Sequence, residues 1–158
     1  MIKNTRIRIK QLHSSDDSST GTVPTFARQG DAGGDLSALR AFHIGAGETV
    51  VVPTGIAFEL PEGIVALVCS RSGLAAKSSV AVLNAPGVVD SGYRGEIKVI
   101  LHNYGTYFYA GEAGDRIAQV MFQEFIAPTF EIVDELGESE RGAGGLGSTG
   151  QRTSPVVS

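Results

Sequence analysis

The chain has 158 residues, which is the size of one ordinary domain. Hydrophobic residues make up 42% of it and charged residues 19%, a composition typical of a folded protein. Its 13 basic and 17 acidic residues give a net charge of −4, which argues against a general nucleic-acid-binding protein. The single cysteine, Cys69, excludes an internal disulfide framework and is predicted to be a buried structural thiol. No apolar run approaches the roughly 18 residues of a membrane helix, and the first residues do not resemble a secretory signal. We therefore expect a cytoplasmic protein without a membrane partner.

Period-two alternation of apolar and polar residues is the main secondary-structure signal. In chain order it occurs around Ile7 and Ile9, around Phe58 and Leu60, from Ile97 to Leu101, and around Phe130 and Ile132. Each of these segments predicts a strand with one face on a core. The continuous apolar runs 49–52 and 64–68 predict strands that are buried on both faces.

Turn signals separate these segments at intervals of about 8–12 residues, which is typical of an all-β sandwich or barrel. The helical pattern is best over 74–83, but serine and valine weaken it, so we expect one or two helical turns after Gly73. The polar segment 14–22 predicts a flexible loop. Residues 137–158 have no hydrophobic period and many glycines, which predicts a β domain over 1–136 and a mobile C-terminal arm.

Three glycine-containing segments are predicted turns or loops, and two of them, 70–74 and the run from Arg141, have the composition of anion-binding sites. The turn 70–74, Ser-Arg-Ser-Gly-Leu, follows a predicted strand, so its N–H groups could hold a phosphate, or its first serine could simply cap the helix. The turn 114–119 leads into another strand, and there Asp115 and Arg116 could pair to brace it. The run from Arg141 matches the dinucleotide fingerprint G-x-G-x-x-G, but too few residues follow it for the required second strand. That run predicts an anion-binding arm or a plain linker.

The segment before Glu96 predicts a β-hairpin, with one arm at 88–89 and the other from Glu96, joined by residues 90–95. Asp90 in this connection would ordinarily be a hydrogen-bond partner of its own turn. The adjacent Tyr93 is bulky for a simple turn, which favours a binding or catalytic role for the connection.

In this order, the segments are similar to the five motifs of the trimeric deoxyuridine triphosphate nucleotidohydrolases (dUTPases), and the resemblance covers roughly 24–150. The matching segments are Asp31-Ala-Gly-Gly-Asp-Leu36, Ser70-Arg-Ser-Gly-Leu-Ala75, 84–97, Gly114-Asp-Arg-Ile-Ala-Gln119 and Arg141-Gly-Ala-Gly-Gly-Leu-Gly-Ser-Thr-Gly150. Two positions depart from the family pattern. Gly34 replaces a usually larger residue, and Leu146 stands where an aromatic side chain usually covers the uracil.

The resemblance implies a jelly-roll-like β subunit and a homotrimer in which all three subunits contribute to each active site. It implies hydrolysis of dUTP to dUMP and pyrophosphate with Mg²⁺ as cofactor, through attack on the α-phosphorus by a water that Asp90 activates. This reaction would limit uracil incorporation into DNA and supply dUMP for thymidylate synthesis. No direct nucleic-acid partner is expected.

The other site residues follow from the same resemblance, motif by motif. The phosphate-binding set is Arg71, Ser72, Gly73, Gln119, Arg141, Gly147 and Ser148. The set around the uracil and the deoxyribose is Asn84, Val88, Val89, Tyr93, Lys98 and Leu146. Asp35 would hold the metal ion through a water, Arg116 would brace the site, and Tyr93 would leave no room for a 2′-hydroxyl.

Two other functions fit parts of the sequence. A dCTP deaminase would share the fold, but that reaction needs a different acid–base arrangement at the base, and ammonia release from dCTP would reveal it. A regulatory protein that uses nucleotide binding as a switch is the alternative from another class, with the loop 14–22 as its nonstandard surface. The presence of Asp90 favours the hydrolase over both.

Overall fold

Residues 5–15 and 18–145 are described in this computed structural model, and within them the chain forms eleven strands and one short helix. In chain order these are β1 (Arg8–Gln11), β2 (Gly34–Ser37), β3 (Phe42–Ile44), β4 (Thr49–Pro53), β5 (Ile56–Glu59), β6 (Ile64–Cys69), α1 (Ser72–Ser78), β7 (Val80–Val82), β8 (Gly87–Val89), β9 (Lys98–Asn103), β10 (Tyr109–Gly111) and β11 (Arg116–Glu124). The predicted all-β fold is confirmed, and α1 lies where helical turns were expected. The part of the chain that the structure describes contains no helix long and apolar enough to span a membrane.

All pairings between the strands are antiparallel. The largest sheet has the order β2-β11-β6-β8, the second has the order β4-β9-β7, and two smaller pairs join β1 to β5 and β3 to β10. The sheets surround a single, mostly aliphatic core. Within it the Phe58 ring meets the Phe122 ring edge-on, with 5.5 Å between centroids. The motif segments that the structure describes lie at the edges and strand ends of the two larger sheets.

The predicted alternation is confirmed in β9, whereas the burial on both faces predicted for β4 is not found. Val99 and Leu101 are buried, whereas Ile100 between them is only half-buried. In the continuous run 49–52, by contrast, Val52 alone is buried and Val51 is 54% exposed. The prediction that β4 is buried on both faces is therefore wrong for this chain by itself, because the chain packs its core against only one side of the strand.

The alternation around Phe130 and Ile132 does not produce a strand. No strand occurs among residues 128–145, and these two side chains are 88% and 99% exposed. A strand needs a hydrogen-bonded neighbour, which a pattern of side chains cannot supply. The chain divides into two units, Met1–Ala127 and Pro128–Ser158. The functional division predicted after residue 136 stays a prediction.

The described part of the loop 14–22 is tied down at its base. The His13 Nδ1 and Thr20 Oγ1 atoms lie 2.9 Å apart, which closes the loop with a hydrogen bond. Gly21 then packs on the backbone of Gly55, where a Cβ on Gly21 would lie 1.8 Å from the carbonyl oxygen. No side chain fits at Gly21 without moving the backbone. The predicted flexibility of the loop's tip stays a prediction.

Candidate active site

A cleft of about 400 Å³ opens where β2, β11 and the start of α1 meet. We call it the cradle. Its lining residues come from three of the five motif segments and their neighbours, and they are Ala27, Asp31, Ala32, Gly33, Asp35, Arg71, Ser72, Gly73, Arg116 and Gln119. The structure thus brings together five of the site residues predicted from sequence, which are Asp35, Arg71, Ser72, Gly73 and Gln119.

The Asp35 carboxylate organises the cationic side of the cradle. Its Oδ1 accepts a hydrogen bond from Arg71 Nε at 2.8 Å, and its Oδ2 accepts one from Arg116 Nη1 at 3.0 Å. The side chain of Asp35 is 17% exposed, so both ion pairs are partly screened from water. Arg71 Nη1 also donates to the carbonyl oxygen of Arg116 at 3.0 Å. One carboxylate therefore fixes two guanidinium groups that come from different segments.

This pairing overturns the predicted Asp115–Arg116 brace. The Asp115 carboxylate instead accepts a hydrogen bond from the N–H of Glu112 at 2.8 Å, within its own turn. Arg116 is free to reach across to β2 because alternate side chains of an antiparallel pair share one face. Arg116 lines the cradle and contacts it through Asp35, and its predicted role as a brace of the active site stays a prediction.

Gln119 joins three segments of the cradle. Its Nε2 donates to the carbonyl oxygen of Ser70 at 2.9 Å, and a Cβ on Gly33 would lie 2.6 Å from its Oε1. The Ser70 hydroxyl accepts a hydrogen bond from the N–H of Val82 at 2.9 Å. The interpretation of Ser70 as a helix cap is wrong, because the cap position is Arg71, which makes no side-chain cap hydrogen bond. Ser70 and Gly33 are positioning residues that the sequence alone did not single out.

The open side of the cradle is formed by the first turn of α1. Ser72 and Gly73 are its first two residues and are exposed. The N–H groups of a helix's first turn have no intrahelical acceptor, so they remain available as donors. A Cβ on Gly73 would meet nothing within 4 Å, which leaves this turn accessible to a bulky anion.

The charges in the cradle cancel. Its lining contains two arginines, Arg71 and Arg116, and two aspartates, Asp31 and Asp35, so the formal charge is zero. Nearby, burial raises the pKa of Tyr109, with a further rise from the Asp115 carboxylate and an opposing effect from Arg71. Tyr109 is therefore neutral at ordinary pH, and a polyanion in the cradle would need additional cations.

A second cleft, of about 290 Å³, lies beside β8 and the segment 90–97 that leads to β9. Its lining residues are Val51, Val88, Val89, Asp90, Tyr93, Glu96, Ile97, Lys98 and Ile100. Five predicted site residues meet here. Asn84 is exposed just before β8 and does not line this cleft. The Asp90 carboxylate is exposed and has no hydrogen-bond or ion-pair partner within the described residues.

The segment 90–97 is a crossover between sheets and not the predicted hairpin connection. β8 pairs with β6, whereas β9 pairs with β4 and β7. The segment is held by its own hydrogen bonds. The N–H of Tyr93 donates to the Asp90 carbonyl oxygen at 3.0 Å, and Arg94 Nη1 donates to the carbonyl oxygen of Ser91 at 2.5 Å. Arg94 is thus a further positioning residue in this segment.

The cradle and the second cleft have no lining residue in common. They lie toward opposite ends of β6, because Val89 is opposite Ala66 whereas Arg71 follows the far end of the strand. The stretch from Ala66 to Arg71 spans about 16 Å at about 3.3 Å per residue. Asp90 lies beyond Val89 and therefore farther still from the cradle within one chain.

The remaining predicted residues lie in the second unit or outside the described residues. Arg141 Nε donates to the carbonyl oxygen of Gly144 at 2.8 Å, in a turn where Gly142 has a φ of 51°. Leu146, Gly147 and Ser148 lie outside the described residues, so their predicted roles stay predictions.

The cradle suits a metal ion that is held mainly by a ligand and by water. Within the described residues, no group of three or more histidine, cysteine, aspartate or glutamate side chains is placed to hold a metal. The Asp35 carboxylate has about four acceptor positions, of which its two arginines occupy two. Mg²⁺ commonly keeps several waters and binds through one or two carboxylates and the phosphates of a substrate. The residues present therefore fit Mg²⁺ bound through water, and do not fit a protein cage.

Known proteins are similar to this chain over most of its length. A family model described as dUTPase matches residues 19–150. A deoxyuridine 5′-triphosphate nucleotidohydrolase of Clostridioides difficile is 46% identical over 144 residues, covering 91% of this chain and 97% of that protein. One of Thermobifida fusca is 50% identical over 129 residues, covering 81% and 72%. Among solved structures, a mutant dUTPase of Staphylococcus bacteriophage 80alpha with dUpNHpp has a TM-score of 0.84 at 26% identity, over 94% of this chain and 100% of that one. The matched region includes both clefts.

Proposed function

We propose that this chain, which belongs to the dUTPase family, cleaves dUTP to dUMP and pyrophosphate in sites that the subunits of a homotrimer share. The observation that supports the shared site is that the cradle and the second cleft have no lining residue in common and lie toward opposite ends of β6, about 16 Å apart by strand geometry. A general base must lie within hydrogen-bond reach of the water it activates. The cradle of one subunit and the Asp90 of another therefore meet in one site.

The cradle binds the phosphates in this proposal. The N–H groups of Ser72 and Gly73 donate to the α- and β-phosphates, and Arg71 adds charge-assisted hydrogen bonds. Gln119 uses one amide N–H on Ser70 and has a second N–H for the α-phosphate. Arg116 keeps Asp35 and Arg71 in place. These donors are fixed before the substrate arrives, so little reorganisation is needed during the reaction.

The neutral cradle needs further positive charge for a tetra-anionic substrate. Mg²⁺, when bound, neutralises phosphate charge, and Asp35 would hold one of its waters. The arm of a third subunit supplies Arg141, with Gly147 and Ser148 as donors to the γ-phosphate. Closure of the arm would exclude water and complete the site only when the triphosphate is present.

The second cleft binds the nucleoside. Asp90 orients and deprotonates the attacking water, which displaces pyrophosphate from the α-phosphorus without a covalent enzyme intermediate. Main-chain groups of Val88, Val89 and Lys98, with the Asn84 amide, bind the uracil, and Leu146 covers it. Tyr93 packs on the deoxyribose. Removal of dUTP would limit uracil incorporation into DNA, and the product dUMP would supply thymidylate synthesis.

Pyrophosphate release from dUTP, UTP, dTTP and dCTP tests the reaction and its specificity together. We expect dUTP to be cleaved at least a hundredfold faster than each of the others, measured as kcat/KM, because a pocket shaped for one base and sugar rejects analogues sterically. Equal rates would contradict the nucleoside assignment. Ammonia release from dCTP would instead identify a deaminase.

Mixing two inactive variants tests whether the sites are shared. Asp90→Asn lacks the base and Arg71→Ala lacks a cradle cation, but a mixed trimer combines the intact cradle of the first with the intact Asp90 of the second. Random assembly from equal amounts should restore about a quarter of the wild-type sites. Co-refolded mixtures are compared with separately refolded chains mixed afterwards. Absence of recovery in stable mixed trimers would show that each site is made by one chain.

A further inference from the structure

We propose that Gly95 and the main-chain carbonyl of Glu96 form a latch that fixes the Tyr93 ring, and that this latch sets the discrimination between deoxyribonucleotide and ribonucleotide. The inference rests on the function proposed above and adds positioning residues for its sugar specificity. The Tyr93 hydroxyl donates a hydrogen bond to the Glu96 carbonyl oxygen at 2.9 Å. The ring thus folds back over the main chain of its own segment.

The ring fits only because residue 95 has no side chain. A Cβ on Gly95 would lie 2.5 Å from the Tyr93 hydroxyl oxygen, 2.6 Å from Cζ and 3.0 Å from Cε2. Real Cβ contacts are essentially never shorter than 3.0 Å, so the ring would have to move. Gly95 is not among the residues with a positive φ, so its backbone conformation is one that alanine also adopts. Glycine is needed at position 95 because it has no side chain, and not because of its backbone conformation.

Both ends of the latch are anchored. The Glu96 carboxylate accepts a hydrogen bond from the N–H of Gly55 at 2.9 Å, and the N–H of the next residue, Ile97, donates to the Ile56 carbonyl oxygen at 2.8 Å. At the other end, the N–H of Tyr93 donates to the carbonyl oxygen of Asp90 at 3.0 Å. The acceptor for the hydroxyl is therefore held by the β4–β5 turn and β5, and the main chain of Tyr93 is bonded to the main chain of Asp90.

The latch matters because burial alone does not hold the Tyr93 ring in place within the described residues. The residue is 48% exposed and lines the second cleft, and a side chain this exposed ordinarily moves among rotamers. Exclusion of a 2′-hydroxyl by a ring is steric, so it holds only while the ring stays in place. A ring released from Glu96 could swing aside and admit the ribose. Loss of the latch should therefore raise UTP turnover relative to dUTP turnover.

The test is the ratio of kcat/KM for dUTP to kcat/KM for UTP in three variants. Gly95→Ala displaces the ring, and we expect the ratio to fall about tenfold or more, the scale on which one misplaced group changes pocket discrimination. Tyr93→Phe removes only the hydrogen bond, and the ratio should fall about two- to tenfold. Gly92→Ala is the matched control, since its Cβ would meet nothing within 4 Å in the same segment, and its ratio should match that of the wild type.

The outcomes separate the latch from the proposed function. A wild-type protein that releases no pyrophosphate from dUTP overturns both. A wild type that cleaves dUTP, with a ratio unchanged within twofold in Gly95→Ala, overturns the latch alone. A general loss of dUTP and UTP turnover at constant ratio also overturns it, because it shows a merely structural role. If Gly95→Ala does not fold, an unchanged ratio in Tyr93→Phe overturns the latch.

Discussion

The cradle and the segment 90–97 differ in how completely one chain builds them. In the cradle, Asp35 binds two arginines and Gln119 binds the main chain of Ser70, so each functional side chain has its position before a ligand arrives. In the segment 90–97 the main chain is held by hydrogen bonds, but the Asp90 carboxylate faces solvent without a partner in the described part of the chain. In one region the polar side chains are fixed by the chain itself, and in the other the carboxylate proposed as the base points outward.

This difference supports the proposed active site that is shared between subunits. Groups that bind a polyanion gain from rigid placement, because ordering them during binding would cost conformational entropy. A base that serves the cradle of another subunit must project from its own subunit. The exposed Val51 and Val88 beside Asp90 agree with a surface that a neighbouring subunit covers. A truncation and three substitutions test the roles of the cradle and of the segment 90–97.

Removing the fifth motif tests whether the cradle has enough positive charge. A chain that ends at Glu140 lacks Arg141, and we expect kcat to fall by about 10³-fold or more, as when an arginine that meets transferring phosphate charge is lost. The melting temperature should stay unchanged, because residues 141–145 are not buried. A chain that ends at Gly150 keeps the motif and is the matched control. Normal turnover of the shorter chain would show that the cradle needs no cation from the arm.

Asp90→Asn removes the base and keeps its size. Turnover of dUTP should fall about 10²–10⁴-fold, the usual contribution of general-base catalysis. Because the carboxylate has no partner in the described residues, the melting temperature and the affinity for a nonhydrolysable dUTP analogue should stay near the wild-type values. Stopped-flow turnover and calorimetric binding separate these effects. A matching loss of affinity would place Asp90 in substrate binding.

Asp35→Asn tests the cradle's internal order. Two charge-assisted hydrogen bonds lose their charge, and kcat/KM should fall about 10–100-fold on the scale of about 1.5–3 kcal/mol for such bonds. Asp115→Asn is the control, since the Asp115 carboxylate accepts its hydrogen bond from the N–H of Glu112 in the same turn, and its kcat/KM should change less than threefold. If the two variants behaved alike, the ion pairs of Asp35 would have no role in placing Arg71.

Ser70→Ala tests the link between the two larger sheets and has the smallest expected effect. The buried N–H of Val82 loses its acceptor, which should lower the free energy of unfolding by about 1–3 kcal/mol. Because Gln119 binds the main chain of Ser70, kcat/KM should change less than tenfold. Denaturant unfolding at fixed protein concentration gives the first quantity. An unchanged stability would mean that water replaces the hydroxyl.

Local spacing in the sequence determined much of the fold. Alternation placed β1, β5 and β9, turn residues separated the strands, and the serine and valine content limited the helix to α1. These features depend on neighbouring residues, whose side-chain direction and backbone preference act over a few positions. The motif order likewise pointed to five residues that line each of the two clefts.

Only the tertiary structure decided which residues meet. Asp35 binds Arg71 and Arg116, which lie 36 and 81 positions away, and the sequence suggested Asp115 for the second of these because it is adjacent. The pairing of β8 with β6 turned a predicted hairpin into a crossover, and Phe130 found no strand partner. Pairing partners are chosen by how strands close around a core, and that closure depends on the whole chain and not on local pattern.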